Sequence, residues 1–510
     1  MLRTSGVGIC MGMLGLAALA CSSQGSSADD LPVAAASRAL TYEQVVLGMA
    51  PVGWWRLNEA SGATQAADSS GKGHHGSYVN SPTLGGAGVV TGDASAAFAS
   101  ASQQYVQIAD HDDFSLTKVT DSFARTVALG SSWGTPAGSA FAWSPAFNTG
   151  NDYWCDGTTA LIQETTTGSW GQTLNVARQD VDVRALGSWS VAAAGGVMAP
   201  LAVMARYADA SNYYRAELRE NTDHTLDLQI GRVVAGSYTP LASAVNVGTY
   251  SVGARWYVRL QVETDHCSQG GTTLRAKAWA DAGSTTVEPT NFQATASDSS
   301  LSAAGAVGIR SSNLGTTSNP LVSLHEFRVQ SVGLSVAVWM RPSTLTFAGG
   351  EGTSPDNYVH WLGKGEKISG NSQMEWGLRF YNNTQGSTRP NRISAYAWNL
   401  AGGEGAGSYS QTSLSTGSWV HFTAVFDPGD KQDQSAGVFV YKNGAAPSQG
   451  SLRFYKDYSV VPANGTAPLR VATRSAQNST TPSYFDGAID ELAIFDRKLC
   501  ASEVTSLYNH

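Results

Sequence analysis

Acidic side chains at two places in the chain have part of the spacing needed to cut a glycosidic bond. Strand alternation would put Glu263 and Asp265 on one face, as in the Glu-x-Asp-x-x-Glu pattern of some polysaccharide hydrolases. Ser268 stands where the third acid of that pattern belongs, and the pair Asp180 and Asp182 has no third partner in frame. We therefore expect no catalysis, although a triad assembled from distant residues stays open.

Aromatic residues in predicted strands form a second group with chemical potential, because the C–H faces of sugars pack on aromatic rings flanked by polar groups. The candidates have the phase that alternation assigns to the outside of a sheet. The aromatic candidates are Trp361, Trp376, Tyr381, Tyr396, Trp398, Tyr213, Tyr257 and Trp279, and the polar candidates beside them are Arg215 and Glu217. Two alternatives stay open: tryptophans in strands are often core residues, and the Arg/Glu alternation also suits cross-strand pairs on a solvated sheet.

The composition favours strand-rich domains that bind an uncharged partner. The chain has 510 residues, enough for two or three domains, with 55 glycines and only 14% charged residues. A net charge of −8 argues against sequence-independent binding to nucleic acid, which needs clustered Lys and Arg. A neutral polysaccharide fits this charge better.

The N-terminus reads as a targeting segment rather than as part of the fold. Arg3 precedes an apolar run, and Ala18-Leu19-Ala20-Cys21 resembles a bacterial lipoprotein cleavage box. Residues 1–20 are thus predicted to be a signal peptide, with Cys21 lipidated and residues 21–39 a flexible tether. We expect a lipid-anchored protein of the bacterial cell envelope, at the outer membrane or cell surface, whose only membrane contact is the anchor. Secretion through an ordinary signal is the alternative.

Motifs far apart in the chain resemble one jelly-roll family. They begin with Val52-Gly53-Trp54-Trp55-Arg56-Leu57-Asn58-Glu59 and Asp68-Ser69-Ser70-Gly71-Lys72-Gly73-His74-His75-Gly76, resume at Leu334-Ser335-Val336-Ala337-Val338-Trp339-Met340-Arg341-Pro342, and close with Gly487-Ala488-Ile489-Asp490-Glu491-Leu492-Ala493-Ile494-Phe495. In this order they are similar to the laminin-G-like, concanavalin-A-like lectin/glucanase family. The resemblance implies an antiparallel β-sandwich formed by residues 40–117 plus 331–510, called the host below.

The intervening residues 118–330, called the guest below, interrupt the family pattern. Their strands alternate strictly, with Tyr214, Ala216 and Leu218 facing inward in one of them. The guest resembles a second concanavalin-A-like sandwich. We therefore predict an all-β protein in which one jelly roll is inserted into another, as surface loops allow.

Carboxylates near the ends of the host suggest a metal site. Hard cations collect oxygen ligands from loops, and many laminin-G-like domains hold calcium. The resemblance implies a structural Ca²⁺ held by Glu59, Asp68 and Asp490. The alternative is that Asp68 caps a turn while Asp490 and its neighbour pair with an arginine.

Three cysteines follow the predicted signal peptide and anchor: Cys155, Cys267 and Cys500. Export would permit a disulfide, and Cys155 with Cys267 is the natural pair because both lie in the guest. None has metal-ligand spacing.

Together these features predict non-catalytic recognition of a polysaccharide or glycoprotein. A protein–protein adhesion or scaffold module is the first alternative, and a polysaccharide hydrolase or lyase with an atypical site is the second. A fold alone does not decide between them.

Overall fold

The computed structural model shows an all-β protein, which confirms the predicted fold class. It describes residues 40–193, 196–268, 270–313, 319–347, 357–366, 373–383, 386–398, 405–427, 437–445, 464–474 and 483–510. The predicted signal peptide, the tether and Cys21 lie outside these residues. In the described part of the chain, no helix has the length and apolar character needed to cross a membrane.

In the described residues the strands follow one another along the chain, with a short α-helix at each end. The first part of the host contains α1 (Tyr42–Gly48), β1 (Gly53–Trp55), β2 (Gln65–Ala66), β3 (Gly76–Val79), β4 (Thr83–Ala87), β5 (Ala94–Phe98) and β6 (Tyr105–Ile108). The guest region contains β7 (Thr117–Asp121), β8 (Thr126–Gly130), β9 (Trp143–Phe147), β10 (Tyr153–Asp156), β11 (Ala160–Gln163), β12 (Gly168–Arg178), β13 (Val181–Trp189), β14 (Met198–Asp209), β15 (Asn212–Glu220), β16 (Thr225–Val234), β17 (Ser237–Pro240), β18 (Val245–Thr249), β19 (Trp256–Thr264), β20 (Thr272–Ala280), β21 (Ala294–Asp298), β22 (Gly305–Asn313) and β23 (Leu321–Gln330). The rest of the host contains β24 (Leu334–Pro342), β25 (Tyr358–Glu366), β26 (Gln373–Tyr381), β27 (Ile393–Ala397), β28 (Ala406–Tyr409), β29 (Val420–Asp427), β30 (Gly437–Lys442), β31 (Leu469–Val471), β32 (Gly487–Phe495) and α2 (Ala501–Asn509).

The host strands form two sheets. The seven-stranded sheet has the order β30-β29-β24-β32-β5-β4, with β1 also paired to β32, and the eight-stranded sheet has the order β2-β3-β6-β31-β25-β26-β27-β28. Leu334, Val336, Val338 and Met340 of β24 alternate into the core between the sheets, as their spacing predicts. The strands before and after the guest therefore share one core.

The guest strands form two more sheets around a separate core. The nine-stranded sheet has the order β21-β20-β19-β13-β23-β11-β10-β8, with β7 paired to β23. The eight-stranded sheet has the order β17-β16-β15-β14-β22-β12-β9, with β18 paired to β16. Tyr214, Ala216 and Leu218 of β15 point into this core, as predicted, so the residues between them point outward.

The chain enters and leaves the guest region at adjacent points. Ser331 donates its backbone N–H to the carbonyl oxygen of Leu116 at 2.9 Å, and β7 pairs antiparallel with β23. Buried charges also join the two sandwiches here, because Asp496 of the host pairs with Lys118 at 2.7 Å and with Arg178 at 3.0 Å.

The two helices cover the outer face of the host's seven-stranded sheet. In α1 a reciprocal capping box between Thr41 and Gln44 fixes the first turn, and Val46 is buried against the sheet. Val504 and Leu507 of α2 enter the same apolar cluster, so the first and last described segments of the chain meet on one surface.

Candidate functional site

Six side chains project together from the guest's eight-stranded sheet, on the face opposite the core. Their strands lie side by side, since Glu217 is paired in register with Ala202 and Gln229, and Ala202 with Arg310. We call this set the guest polar face. It consists of Arg215, Glu217, Arg219, Gln229, Tyr238 and Arg310.

An exposed aromatic ring lies at the edge of the guest polar face. The side chain of Tyr238 stacks on the guanidinium of Arg215, with 4.0 Å from Cζ to the ring centroid, and 37% of the tyrosine is exposed. Its hydroxyl donates to Glu217 Oε1 at 3.3 Å, and Arg215 Nη2 donates to the same oxygen at 3.2 Å. The ring fits because Gly231 lies beneath it, where a Cβ would come within 2.3 Å of a ring carbon.

Two guanidinium groups share one carboxylate on this face. Arg310 lies 3.8 Å from Glu217, donates to Ser169 Oγ at 2.7 Å, and is 9% exposed. Burial, together with the charge of Arg215, lowers the pKa of Arg310. Burial also acts to lower the pKa of Arg215, but Glu217 leads the groups that raise it above its ordinary value. The face thus combines buried donors, a carboxylate and an exposed ring.

Amide and guanidinium groups extend the polar face along the next strand. Arg219 Nη1 donates to Gln229 Oε1 at 2.7 Å, and Gln229 Nε2 donates to the carbonyl oxygen of Ala242 at 2.9 Å. These bonds hold the side chains in fixed orientations. Fixed donors and acceptors beside a ring are the chemistry that sugar hydroxyls and sugar C–H faces require.

Tyr213 has the predicted phase but is covered. Only 2% of it is exposed, and its ring packs at 5.7 Å from both Phe147 and Tyr207. It supports the guest polar face from one side, so the expectation that it offers a sugar-binding surface is wrong.

Tyr257 and Trp279 lie on the other guest sheet. They are cross-strand partners on β19 and β20, and their rings stack at 4.8 Å with 14° between planes. Arg184 lies 5.0 Å from the Tyr257 ring. This pair faces away from the guest polar face, so the guest candidates form two separate groups.

The prediction that Trp361 and Trp376 face outward is wrong. Both indoles are fully buried in the host core, where Trp361 packs 5.2 Å from Phe380 and Trp376 packs 5.8 Å from Phe426. Trp361 shares the inward phase of Val359, and Trp376 shares that of Leu378; the register shift between His360 and Leu362 brings Leu362 inward as well.

Tyr381, Tyr396 and Trp398 do lie on the outer face of the host's eight-stranded sheet. Tyr396 and Trp398 flank Arg379, whose Cζ is 4.1 Å and 5.3 Å from their ring centroids. Tyr381 lies farther along the sheet, with its ring 5.4 Å from the guanidinium of Arg389. All three residues are at most 8% exposed, so the structure gathers the candidates but leaves little of their surface accessible.

Five residues of these clusters were not predicted from the sequence: Arg219, Gln229, Tyr238 and Arg310 of the guest polar face, and Arg379 of the host. Arg310 follows Val307 and Ile309 in a strand whose alternation already places it outside, so that signal was present. Tyr238 lies in a short strand that contains a proline, and the face on which Arg379 lies depends on the register of β26. In neither case does the local sequence indicate that the side chain points outward.

The proposed calcium ligands do not converge. Glu59 accepts bonds from the Ala67 N–H at 2.6 Å and the Tyr78 hydroxyl at 2.5 Å. Asp68 Oδ1 accepts from the backbone of Trp54 at 2.9 Å and caps a turn, which was the alternative. In the described residues, neither group of three His, Cys, Asp or Glu ligand atoms within 4.8 Å of one another contains any of the three predicted ligands. These carboxylates do not fit a shared ion, and calcium binding stays a prediction.

Asp490 and Glu491 instead form a buried acidic pair. Asp490 Oδ2 accepts from the Val89 N–H at 2.8 Å, and Glu491 Oε2 accepts from the Trp54 indole N–H at 2.6 Å. Arg56 lies 3.5 Å from Glu491, so a cation is supplied by the chain itself. Burial raises the pKa of Asp490, and burial together with Asp490 raises that of Glu491.

The predicted pairing of Cys155 with Cys267 is wrong. Cys155 is buried in the guest core, 1% exposed, whereas Cys267 lies in the exposed turn between β19 and β20. Cys267 instead lies beside Cys500 of the host, with their sulfur atoms within 4.8 Å of each other.

Three of the four acids considered for catalysis are held in ion pairs, including Asp180 with Arg206 at 3.3 Å, whereas Asp265 accepts hydrogen bonds within a turn. Glu263 lies 2.9 Å from Arg275 and 2.6 Å from Lys498, and Asp182 lies 2.6 Å from Arg259. Paired carboxylates of this kind support the fold more readily than they transfer protons.

One segment matches the Gly-x-Ser-x-Gly sequence that surrounds the nucleophilic serine of some hydrolases, but its serine stabilises a turn. Gly130-Ser131-Ser132-Trp133-Gly134 matches Gly-x-Ser-x-Gly. Its central hydroxyl, on Ser132, donates to the carbonyl oxygen of Trp143 at 2.7 Å and accepts from the Gly134 N–H at 3.0 Å. Both interactions stabilise a turn.

Comparison with known families supports the resemblance over part of the chain. Residues 315–505 match the laminin G family model described as the Concanavalin A-like lectin/glucanases superfamily. The resemblance of the host's second part is therefore confirmed. No curated protein matches the sequence.

Solved structures that match part of the chain include carbohydrate-binding modules. The carbohydrate-binding module CBM66 from Bacillus subtilis is 15% identical, with a TM-score of 0.24, over 37% of this chain and 95% of the module. Domain 4 of AbnA, an extracellular arabinanase from Geobacillus stearothermophilus solved with arabinotriose, is 20% identical, with a TM-score of 0.23, over 35% of this chain and 67% of that one. The CBM40 of a Ruminococcus gnavus sialidase, bound to α2,3-sialyllactose, is 11% identical, with a TM-score of 0.24, over 35% and 83%. At these identities and scores, the likenesses carry no argument about the ligand of this chain.

Proposed function

We propose that this protein binds a polysaccharide or glycoprotein glycan without cleaving it, and that the guest polar face is the contact surface. One observation carries the proposal: the exposed Tyr238 ring, fixed on Arg215, lies beside the carboxylate of Glu217. The C–H face of a sugar would pack on the ring while its hydroxyls bond to the neighbouring polar groups. The ion-paired state of Glu263 and Asp182 supports the non-catalytic part.

The arrangement favours a polymer over a small sugar. The exposed ring marks a surface contact rather than an enclosed pocket, and the partly exposed Arg219 lies farther along the same sheet, while Arg215, Glu217, Gln229 and Arg310 are at most 9% exposed. Contacts spread along a sheet suit successive units of a chain.

The experiment is a polysaccharide and glycan array probed with the soluble form that starts at Ser22. A positive polymer would then be titrated against the variants Tyr238→Ala and Glu217→Gln. Loss of a stacked ring is expected to weaken binding by about tenfold. Tyr257→Ala, on the outer face of the other guest sheet, is the matched control and should bind like the unmodified protein.

A blank array would overturn the carbohydrate proposal, and adhesion to a protein partner would then take its place. Equal loss in Tyr238→Ala and Tyr257→Ala would keep sugar binding but move it away from the guest polar face. Cleavage of the bound polymer would overturn the non-catalytic part.

We also propose that the protein works outside the cytoplasm, anchored by a lipid on Cys21. The cleavage-box sequence Ala18-Leu19-Ala20-Cys21 supports this. Mass spectrometry of the N-terminal peptide from membrane fractions should show a diacylglyceryl group on that cysteine. Release of a Cys21→Ser variant from the membrane fraction is the expected companion result.

A further inference from the structure

Two cysteines from different sandwiches meet at the surface where the guest touches the host. Cys267 lies in the turn between β19 and β20 of the guest, and Cys500 is the N-cap residue of α2 in the host. Their sulfur atoms lie within 4.8 Å of each other although the residues are far apart in sequence. Neither is buried, so both can be reached by a reagent.

The surroundings hold both cysteines in place. The carboxylate of Asp265 accepts from the backbone N–H groups of Cys267 and Ser268, at 3.1 and 3.0 Å, which fixes the turn. Next to it, Glu263 pairs with Lys498 at 2.6 Å, two residues before Cys500. The contact therefore rests on a charge pair across the two sandwiches as well as on the sulfur atoms.

A metal ion is a poor explanation for this pair of thiols. The third potential ligand, Glu503, already has both oxygens engaged by Arg497, at 2.6 and 2.9 Å. Glu503 also accepts from the Cys500 N–H at 3.0 Å, as part of the helix cap. Among the described residues, these two thiols and the engaged carboxylate fall short of the four ligands that a structural zinc site needs.

We propose that Cys267 and Cys500 form a disulfide that clamps the guest's β19–β20 turn to the host's last helix. The polypeptide already connects the two sandwiches at residues 117–118 and 330–331. The disulfide is a third covalent connection, located at a separate contact. It restricts rocking of the guest, and thus of any ligand carried on it, relative to the host.

The bond forms by thiol–disulfide exchange with an external small-molecule or protein disulfide. The thiolate of one cysteine attacks that disulfide and releases one external thiol, which leaves a mixed disulfide on the protein. The second cysteine, as thiolate, attacks the protein sulfur, closes the Cys267–Cys500 bond and releases the second external thiol. Two protein thiols are oxidised and one external disulfide is reduced to two thiols.

A step in which Cys267 is the attacking thiol should be slow at neutral pH. Burial and the neighbouring Cys500 raise the pKa of the Cys267 thiol to about 12, which keeps the reactive thiolate scarce. A protein oxidant or a more alkaline buffer is expected to speed the closure.

The test uses the folded chain from Ser22, equilibrated with oxidised and reduced glutathione, acid-quenched, unfolded and alkylated. Tryptic mapping should show Cys155 alkylated and the peptides of Cys267 and Cys500 joined, with the protein still monomeric. Reduction should then lower the melting temperature by about 5 °C, because the clamp restricts the unfolded chain.

Two variants separate the alternatives. Cys500→Ser should expose Cys267 to alkylation and abolish the effect of reduction on melting, whereas Cys155→Ala should keep both the joined peptides and that effect. Alkylation of both cysteines at every glutathione ratio, or joined peptides only in dimers, would overturn the proposal. Thiols protected only until a chelator is added would overturn it in favour of a metal.

Discussion

At the scale of single residues, one glycine controls the proposed binding surface. A Cβ at Gly231 would come within 2.3 Å of the Tyr238 ring, so Gly231→Ala should push that ring off Arg215. We expect about a tenfold loss of affinity with little change in melting temperature, because the site lies on the outer face of the sheet. Calorimetric titration with the polymer found on the array measures this. Unchanged affinity would mean that the ring is not a contact.

A second residue-scale prediction concerns pH. Burial raises the pKa of Asp490 to about 7, and burial and Asp490 raise that of Glu491 to about 8. In the unfolded chain these groups titrate near pH 4. The folded protein therefore holds protons that the unfolded chain has lost, and the stability they contribute is complete below about pH 4 and is lost as pH rises through 7 to 8.

Glu491→Gln, which imitates the protonated side chain, should flatten this dependence. The measurement is urea unfolding at pH 5 and at pH 8. From pH 5 to pH 8 the free energy of unfolding of the unmodified protein should fall by on the order of a few kcal/mol more than that of the variant. Glu326→Gln in the guest, which pairs with Arg184 and, among the described residues, shares no partner with Glu491, is the control. The same loss in Glu491→Gln and the unmodified protein would contradict the assignment.

At the scale of strands, alternation predicts the fold well and the exposed residues less well. It places the core residues of β24 and β15 correctly because those strands are regular over the predicted stretch. The predicted phase is wrong at Trp361, which shares the inward phase of Val359; a one-residue irregularity then turns Leu362 inward as well, and no local sequence signal marks that irregularity. Exposure of Tyr238 depends on which strand lies beside it, and only the assembled sheet decides that.

The burial of Trp376 in β26 leads to a prediction about stability. Trp376 is fully buried, and its indole N–H donates to the Phe114 carbonyl oxygen at 2.7 Å, so Trp376→Ala should cost about 3–5 kcal/mol of unfolding free energy. Tyr257→Ala, on an outer face, should cost much less. Denaturant unfolding of both variants checks this, and equal costs would contradict the burial of Trp376.

At the scale of the whole molecule, buried charges couple the two sandwiches. Asp496 of the host is 8% exposed at its side chain and is neutralised by Lys118 and Arg178 from the guest region. Removal of Lys118 would leave that carboxylate short of a partner in a dry environment. Lys118→Met should therefore cost about 3 kcal/mol or more, and Asp496→Asn in the same chain should recover part of the loss. Thermal unfolding of the single and double variants is the check, and equal melting temperatures in the two would contradict the coupling.

Because the guest is inserted in the host, we expect the two sandwiches to fold separately. The guest has its own core, and the host residues on either side of it are already in contact, since the Ser331 N–H and the Leu116 carbonyl oxygen are 2.9 Å apart. Residues 118–330 expressed alone should therefore fold and, if the guest polar face binds the polymer, retain the affinity of the full chain. The host closed by a short Gly-Ser turn should fold with reduced stability, because Asp496 loses Lys118 and Arg178, and Asp496→Asn should restore part of it. Circular dichroism, melting curves and polymer titration test each piece. A guest that is unfolded alone would show that the two sandwiches form one cooperative unit and that residues 118–330 are not a separable domain.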